Sequence, residues 1–577
     1  MRARLYSKTF LIAKATLGAP GSSLAQIRNL QVLEESRVRS LFACLVLMVT
    51  ISTLTPAQNV PIIPQPVSVT MGEGNFALRP STVILTDQAT ARTGRLLAEA
   101  LRPATGYLLR VRLSAVRSKN SIDMRLDRNL GRLGNEGYLL EATDNGITIR
   151  APQAAGVFYG TQSLLQLLPP QIFERSVQTG VDWRVPALKV EDYPRFVWRG
   201  AMMDVCRHFM PKEEVIKFID LLAMHKMNSF HWHLTDDQGW RIEIKRYPRL
   251  TSVGSMRKET RVGHENDPKG FDGKPHGGFY TQAEIRNIVA YARDRFVTIV
   301  PEIEMPGHAQ AAIAAYPELG NTSEKVEVGT VWGIYKNVFN VDESTIVFLQ
   351  NVLTETLALF PSKFIHVGGD EVLKDQWKAS PTAQARMKEL GLKDEHELQS
   401  YFIQRMDKFL TAHGRRLIGW DEILEGGLAP GAAVMSWRGN KGGIAAAKAG
   451  HDVVMAPNSH TYFDQYQSKE PGEPLAIGGF MPLEKVYSFE PVPPELTAAE
   501  GERILGAQCQ LWSEYIPTPQ HFEYMAFPRI SALSEVVWTP ATRKDYSTFQ
   551  SRLAIHERRL RALGVAGRWP VATRTVP

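Results

Sequence analysis

From Phe196 onward, short apolar runs alternate with amphipathic stretches. The runs begin near Trp198, Ser229, Phe296, Phe364, Arg416, Ala433, Asp452 and Leu505. Short runs of this kind read as strands, and the periodic segments between them as helices that cover a sheet. Several helix ends are marked. Thr281-Gln-Ala-Glu284 is a capping box, in which a hydroxyl and a carboxylate satisfy free backbone donors. The stretch Glu395–Ala412 stops just before Gly414, and Pro211 suits the first turn of another helix. Eight strands over about 340 residues predict an α/β fold, a (β/α)8 TIM barrel with enlarged loops. The Gly-, Pro- and His-rich stretch Gly263–Gly278 is the most obvious enlargement, and residues 545–563 form a last basic helix.

Before the barrel the pattern differs. Asn59–Pro66 is Pro-rich and reads as an extended linker. Strand patterns at Val83–Thr86 and Gly146–Arg150 and helical patterns at Ala89–Leu101 and Gly156–Leu168 predict a small α+β accessory domain over residues 58–190. Tyr193-Pro194-Arg195 punctuates the chain, and residues 191–577 make the catalytic barrel with its C-terminal helix. Residues 1–57 read as a leader. Arg37 and Arg39 precede an apolar run, Leu41–Leu54, that ends at Thr55-Pro56-Ala57, the order of a signal peptide. The run is short of the roughly 20 residues that span a bilayer. A secreted or periplasmic mature protein without a stable membrane span is therefore expected, ahead of an uncleaved anchor. The 36 residues before Arg37 are long for such a leader, as a start assigned too far upstream would make them.

Composition changes this picture little. Hydrophobic residues are 44% and charged residues 22%, an ordinary globular balance. The net charge of +7 invites a polyanion partner, but the leader's seven Lys/Arg against two Asp/Glu leave only +2 for the remainder. No nucleic-acid binding is inferred. Of the three cysteines, Cys44 lies in the leader, and Cys206 and Cys509 are expected as buried free thiols.

A barrel places its chemistry at the C-terminal ends of strands. There the sequence gathers polar groups: Arg199 and Asp204, His231 to Asp237, Glu302 to His308, His366 to Glu371, Trp420-Asp421-Glu422, Trp437, Tyr462 and Asp464, and Trp512-Ser513-Glu514. Tryptophan faces stack on the C–H faces of sugar rings, while carboxylates and arginine bind the hydroxyls. No phosphate loop or dinucleotide fingerprint is present. Glycosidic cleavage needs a proton for the leaving oxygen and stabilisation of a cationic C1. Asp370-Glu371 offers two carboxyls, and Gly368-Gly369 before them permits the bend that would aim both into one pocket. Ordinary retaining enzymes set nucleophile and acid on different strands. Two sequence neighbours suit another division of labour, in which one protonates the leaving group and the other steers a nucleophile belonging to the substrate, the 2-acetamido oxygen of an N-acetylhexosamine.

With the His-x-Gly-Gly-Asp-Glu signature intact at 366–371, the sequence from about 60 to 570 resembles the family 20 glycoside hydrolases, the β-N-acetylhexosaminidases. The resemblance implies that Glu371 is the general acid/base and Asp370 the acetamido-orienting group. It makes Arg199 the ligand of the O3/O4 side, and Trp420, Trp437 and Trp512 the walls. Tyr462 becomes the donor to the acetamido oxygen, with Asp464 and Glu514 on sugar hydroxyls. Asp236, Asp237, His308 and His366 form a supporting network. It implies no cofactor and no metal, and as partners oligosaccharides or glycoconjugates ending in N-acetylhexosamine.

Other readings are open at particular positions. Arg199 also suits a structural ion pair, and His231 and His233, on one strand face, suit packing inside the barrel. A metal-dependent hydrolase using His231-x-His233 with His308 and His366 is a rival function. A non-catalytic sugar-binding barrel is another, and an enzyme of the same mechanism that releases a disaccharide or transfers the sugar is a nearer one.

Overall fold

The computed structural model describes residues 60–322 and 324–569. The leader expectation, with Arg37, Arg39, Cys44 and Thr55–Ala57, lies outside the described residues. The accessory domain is a seven-stranded mixed sheet. Its spatial order is Ser68–Ala77, Arg184–Asp192, Tyr138–Thr143, Gly146–Ala151, Ser121–Leu126, Val83–Thr86 and Val111–Leu113. Helices Ala91–Thr105 and Ala154–Leu167 pack on it. The α+β reading holds, and the strand Arg184–Asp192 runs two residues past the expected boundary at 190.

Eight parallel strands then close a barrel: Trp198–Asp204, Ser229–His233, Thr298–Glu302, Phe364–His366, Arg416–Trp420, Ala433–Ser436, Val453–Met455 and Ile504–Cys509. We refer to them as strands one to eight. Each starts within two residues of its predicted position. The largest offset is at strand three, and it has a local cause. Phe296 adopts φ +58°, and its N–H bonds the carbonyl of Arg293, so it ends the preceding helix turn instead of opening the strand. The helices follow their signals. Lys212–Met224 begins directly after Pro211, the Thr281–Glu284 capping box is formed, and Asp394 and Asp545 cap Glu395–Ala412 and Tyr546–Ala562. Cys206 and Cys509 are buried and free, with Cys206 just past the end of strand one.

The barrel interior is layered. An apolar base of Trp198, Val300, Ile418, Ala433, Met435 and Val454 fills it, with Trp420 above. All seven residues of strand one are buried, so its apolar side chains serve core and helix layer alike. Where strand two leads to its helix, the loop extends into a β-hairpin, Arg261–His264 paired with Asp267–Phe271. This is the predicted enlargement.

Candidate active site

Strand four is only three residues long, Phe364–His366. The chain then turns sharply. Gly368, Gly369 and Glu371 have φ of +66°, +92° and +50°. A Cβ on Gly368 would lie 1.7 Å from Glu304 Oε2, so both conformation and space demand glycine there. The turn aims adjacent side chains, Asp370 and Glu371, into one cavity of about 280 Å3. That is at the small end of ligand sites, with room for one sugar ring. Glu371 and His308 are non-glycine residues in the left-handed region, a strain of about 1–3 kcal/mol each that accompanies functional positions.

Trp420, Trp437 and Trp512 wall the cavity with Tyr462. Trp437 and Tyr462 stack with centroids 6.0 Å apart. Each indole that bonds a carboxylate is thereby fixed. Trp437 Nε1 donates to Glu422 Oε2 at 2.9 Å, and Trp420 Nε1 donates to Glu302 Oε1 at 2.9 Å. On the far side stand Asp464 and Glu514. Both oxygens of Asp464, Glu514 Oε2 and Asp370 Oδ1 are buried with no hydrogen-bond partner in the protein. Buried acceptors of this kind are costly unless something donates to them, and a polyhydroxylated ligand does. Burial, then the charge of nearby Asp464, holds the Tyr462 phenol far above its ordinary range, so it stays a donor.

His308 organises the acid. Its Nε2 lies 3.5 Å from both Asp370 Oδ2 and Glu371 Oε2, and its Nδ1 lies 2.9 Å from Asp237 and 3.3 Å from Asp236. Burial alone would lower its pKa. The carboxylates Asp236, Asp237 and Asp370 outweigh that and raise it well above the usual value, so the ring is an imidazolium at neutral pH. Two further carboxyls face Asp370. Burial, with Asp370 and Glu302 nearby, pushes Glu304 well above the carboxylate range. Burial and Asp370 push Glu422 up to about 8. Neither therefore adds a fixed negative charge beside Asp370 at neutral pH. If Glu422 must be protonated for turnover, activity falls as pH rises through about 8. Glu422→Gln, whose amide oxygen still accepts from Trp437, should then remove that alkaline limb from the kcat–pH profile. A limb unchanged in the variant would assign it elsewhere.

The predicted set is brought together with one exception. Arg199 does not reach the cavity. It sits at the start of strand one, fully buried at the opposite end of the barrel. Its guanidinium makes a two-pronged pair with Glu136 of the accessory domain at 2.8 Å and 2.8 Å, and bonds the carbonyls of Lys226 and Phe196. It fastens one domain to the other. The cavity's arginine is Arg207, just past the end of the same strand. Arg207 contacts Asp236 at 2.9 Å, Asp204 at 3.3 Å and Glu514 at 3.9 Å, and lies 5.0 Å over the Trp512 ring. The signal was available: a strand's first residues face away from the catalytic end. We expect Arg207→Met to raise KM and also to lower the unfolding midpoint, because it strips the buried Asp204 and Asp236 of a cationic partner. Arg199→Met should cost about 3–5 kcal/mol of stability, because half-buried Glu136 and the buried carbonyls of Lys226 and Phe196 all lose their donor, with KM retained. Urea unfolding and steady-state kinetics on both variants distinguish them.

Glu302 stands among the polar groups expected at the end of strand three but is assigned no role there, although Pro301-Glu302-Ile303-Glu304 places both carboxyls on one face. It lies beneath Trp420 and contacts His366 at 2.7 Å, His231 at 3.0 Å and His233 Nδ1. The ring nitrogens of His231-x-His233 thus meet Glu302 inside the barrel, and neither ring lines the cavity. Asn458, Gln465 and Ile477 complete the rim without a prior sequence signal. A larger cavity, about 370 Å3, lies between accessory-domain and barrel helices, but its lining is mainly apolar and holds no such carboxyl cluster.

A barrel whose mouth pairs an acid dyad with an aromatic pocket for one ring is a carbohydrate-processing site. Comparison with known proteins places the chain in a family. Residues 196–541 match the glycosyl hydrolase family 20 catalytic domain and residues 59–193 its domain 2. The chain belongs to glycosyl hydrolase family 20. It is 47% identical to a beta-hexosaminidase of Porphyromonas gingivalis over 86% of this chain, which spans 62% of that protein's length. It is 32% identical to a beta-N-acetylhexosaminidase of Cellulomonas fimi over 86% of this chain and 94% of that protein. Among solved structures it resembles the GH20 beta-N-acetylhexosaminidase from Streptomyces coelicolor A3(2), with a TM-score of 0.77 and 34% identity over 89% of this chain and 98% of that one. The Streptomyces plicatus N-acetyl-beta-hexosaminidase in complex with Thio-NAglucal gives a TM-score of 0.77 and 34% identity over 89% and 97%.

Proposed function

We propose that the chain is an exo-acting β-N-acetylhexosaminidase that removes terminal N-acetylglucosamine or N-acetylgalactosamine with retention, using the substrate's acetamido oxygen as nucleophile. The observation that carries this reading is the shared orientation of Asp370 and Glu371 into a cavity for one ring. Glu371, partly open to solvent, protonates the glycosidic oxygen. Asp370 accepts from the acetamido N–H, and Tyr462 donates to its carbonyl oxygen, which attacks C1 and forms an oxazolinium ion. The carboxylate left on Glu371 then takes a proton from water as that water attacks C1 from the face the aglycone left, giving retention. His308, held between Asp236 and Asp237, keeps a positive charge beside the dyad throughout. The named relatives, beta-hexosaminidases, support this choice of sugar.

The natural partners on this reading are oligosaccharides or glycoconjugates ending in N-acetylhexosamine. The mature protein is secreted or periplasmic, which N-terminal sequencing checks: a first residue near 58 is expected, and an intact leader would contradict it. Among the described residues no helix is long and apolar enough to cross a membrane. A panel of aryl β-glycosides with and without the 2-acetamido group tests the function. Release from the acetamido sugars alone is expected. Comparable release from plain glucosides would reject the proposal.

A further inference from the structure

We infer that the hairpin Arg261–Phe271 is the wall that closes the far end of the sugar pocket, and that His264 and Tyr515 thereby restrict cleavage to a single terminal residue. This rests on the proposed function and adds the structural cause of exo action.

The barrel's circular order sets the geometry. Glu371 follows strand four and Glu514 follows strand eight, which lie opposite one another in an eight-stranded ring. Between them runs a chain of contacts from Glu371 through His308, Asp236 and Arg207 to Glu514. The scissile bond must lie at Glu371. On this reading the hydroxyls farthest from it face Asp464 and Glu514, and a group attached to them would extend toward the rim at Ile477.

The hairpin braces that side of the rim. It arises after strand two yet reaches the loops that follow strands seven and eight. His264 Nε2–H donates to the Ile477 carbonyl at 3.1 Å, and Ile477 itself lines the cavity. The imidazole lies flat on the Tyr515 ring, with centroids 5.1 Å apart and planes within 5°. Tyr515 Oη accepts from the Glu265 N–H at 3.0 Å, and His264 Nδ1 accepts from the Asn266 N–H at 3.1 Å. Both ring nitrogens and one ring face are thus engaged. At its base, the Arg261 N–H bonds the Thr330 carbonyl at 3.0 Å. Elsewhere the hairpin packs little: Asp267–Phe271 is exposed throughout, and Val262 and Phe271 point to solvent. A hairpin that contributes so little to the core but fixes its tip at the pocket rim acts on what enters. Specificity by obstruction of this kind costs the correct substrate nothing and excludes the wrong one sterically.

Two probes test this. One is an aryl β-N-acetylglucosaminide. The other is the same compound with galactose on O4, which exo removal of hexosamine cannot trim. Wild-type enzyme should release the aryl group from the first and not the second. Two variants open the wall: the double substitution His264→Ala and Tyr515→Ala, and a shortened hairpin in which Asn-Gly, a favoured two-residue turn, replaces residues 263–268. Both should keep kcat/KM on the first probe within about 5-fold and gain at least ~10-fold on the second, with intact disaccharide as product. Variants that hydrolyse the first probe normally and still exclude the second would overturn the inference. Loss of turnover on the first probe with no gain on the second would overturn it too, since the hairpin would then bind substrate instead of limiting it. Wild-type failure on the first probe would instead sink the proposed function, and the wall with it.

Discussion

Glu371→Gln is expected to lower kcat/KM by about 10^3-fold for aryl N-acetylglucosaminides with poor leaving groups, and by less than about 10-fold for those with strongly activated ones. The asymmetry follows from the role. A glutamine keeps the shape at the turn and the contact with His308, but holds no proton for the departing oxygen. Leaving groups that depart as stable anions do not need that proton. The measurement is a plot of log kcat/KM, which reports the step that expels the aglycone, against leaving-group pKa; it should be shallow in the wild type and steep in the variant. Equal losses across the series would remove the acid role from Glu371.

Asp370→Asn should cost about 10^2–10^3-fold in kcat with little change in KM or in the unfolding midpoint. The lost interaction strengthens only as positive charge develops on the acetamido group, so it belongs to the transition state. A second consequence is electrostatic. After burial, Asp370 is the largest influence raising Glu422, so its removal should shift any alkaline limb due to Glu422 to lower pH. Wild-type rates in Asp370→Asn, measured on an activated aryl substrate, would show that the carboxylate steers nothing.

Much of this molecule is legible in the chain. Eight apolar runs gave the barrel, because strands buried on both faces carry a hydrophobic signal that turns and caps then punctuate. The dyad was readable because Gly368-Gly369 explains how sequence neighbours can share a pocket. Arg199 shows the limit. Arg199 and Arg207 sit near opposite ends of the same strand, and residue type does not say which faces substrate. Only strand polarity does, and Glu136, the partner that claims Arg199, lies 63 positions earlier in the accessory domain. Glu422 and Glu304 were hidden for a different reason. Their importance comes from burial against Asp370, a property of packing across strands. The hairpin's tip contacts likewise join residues more than 200 positions apart.

The most direct test of an internal nucleophile is a set of aryl substrates whose N-acyl group carries zero to three fluorine atoms. Each fluorine withdraws electrons from the acyl oxygen while barely changing its size. If that oxygen attacks C1, kcat/KM should drop steeply and in order across the series. A flat series would mean that a protein group or water attacks C1, and the division of labour between Asp370 and Glu371 would be contradicted.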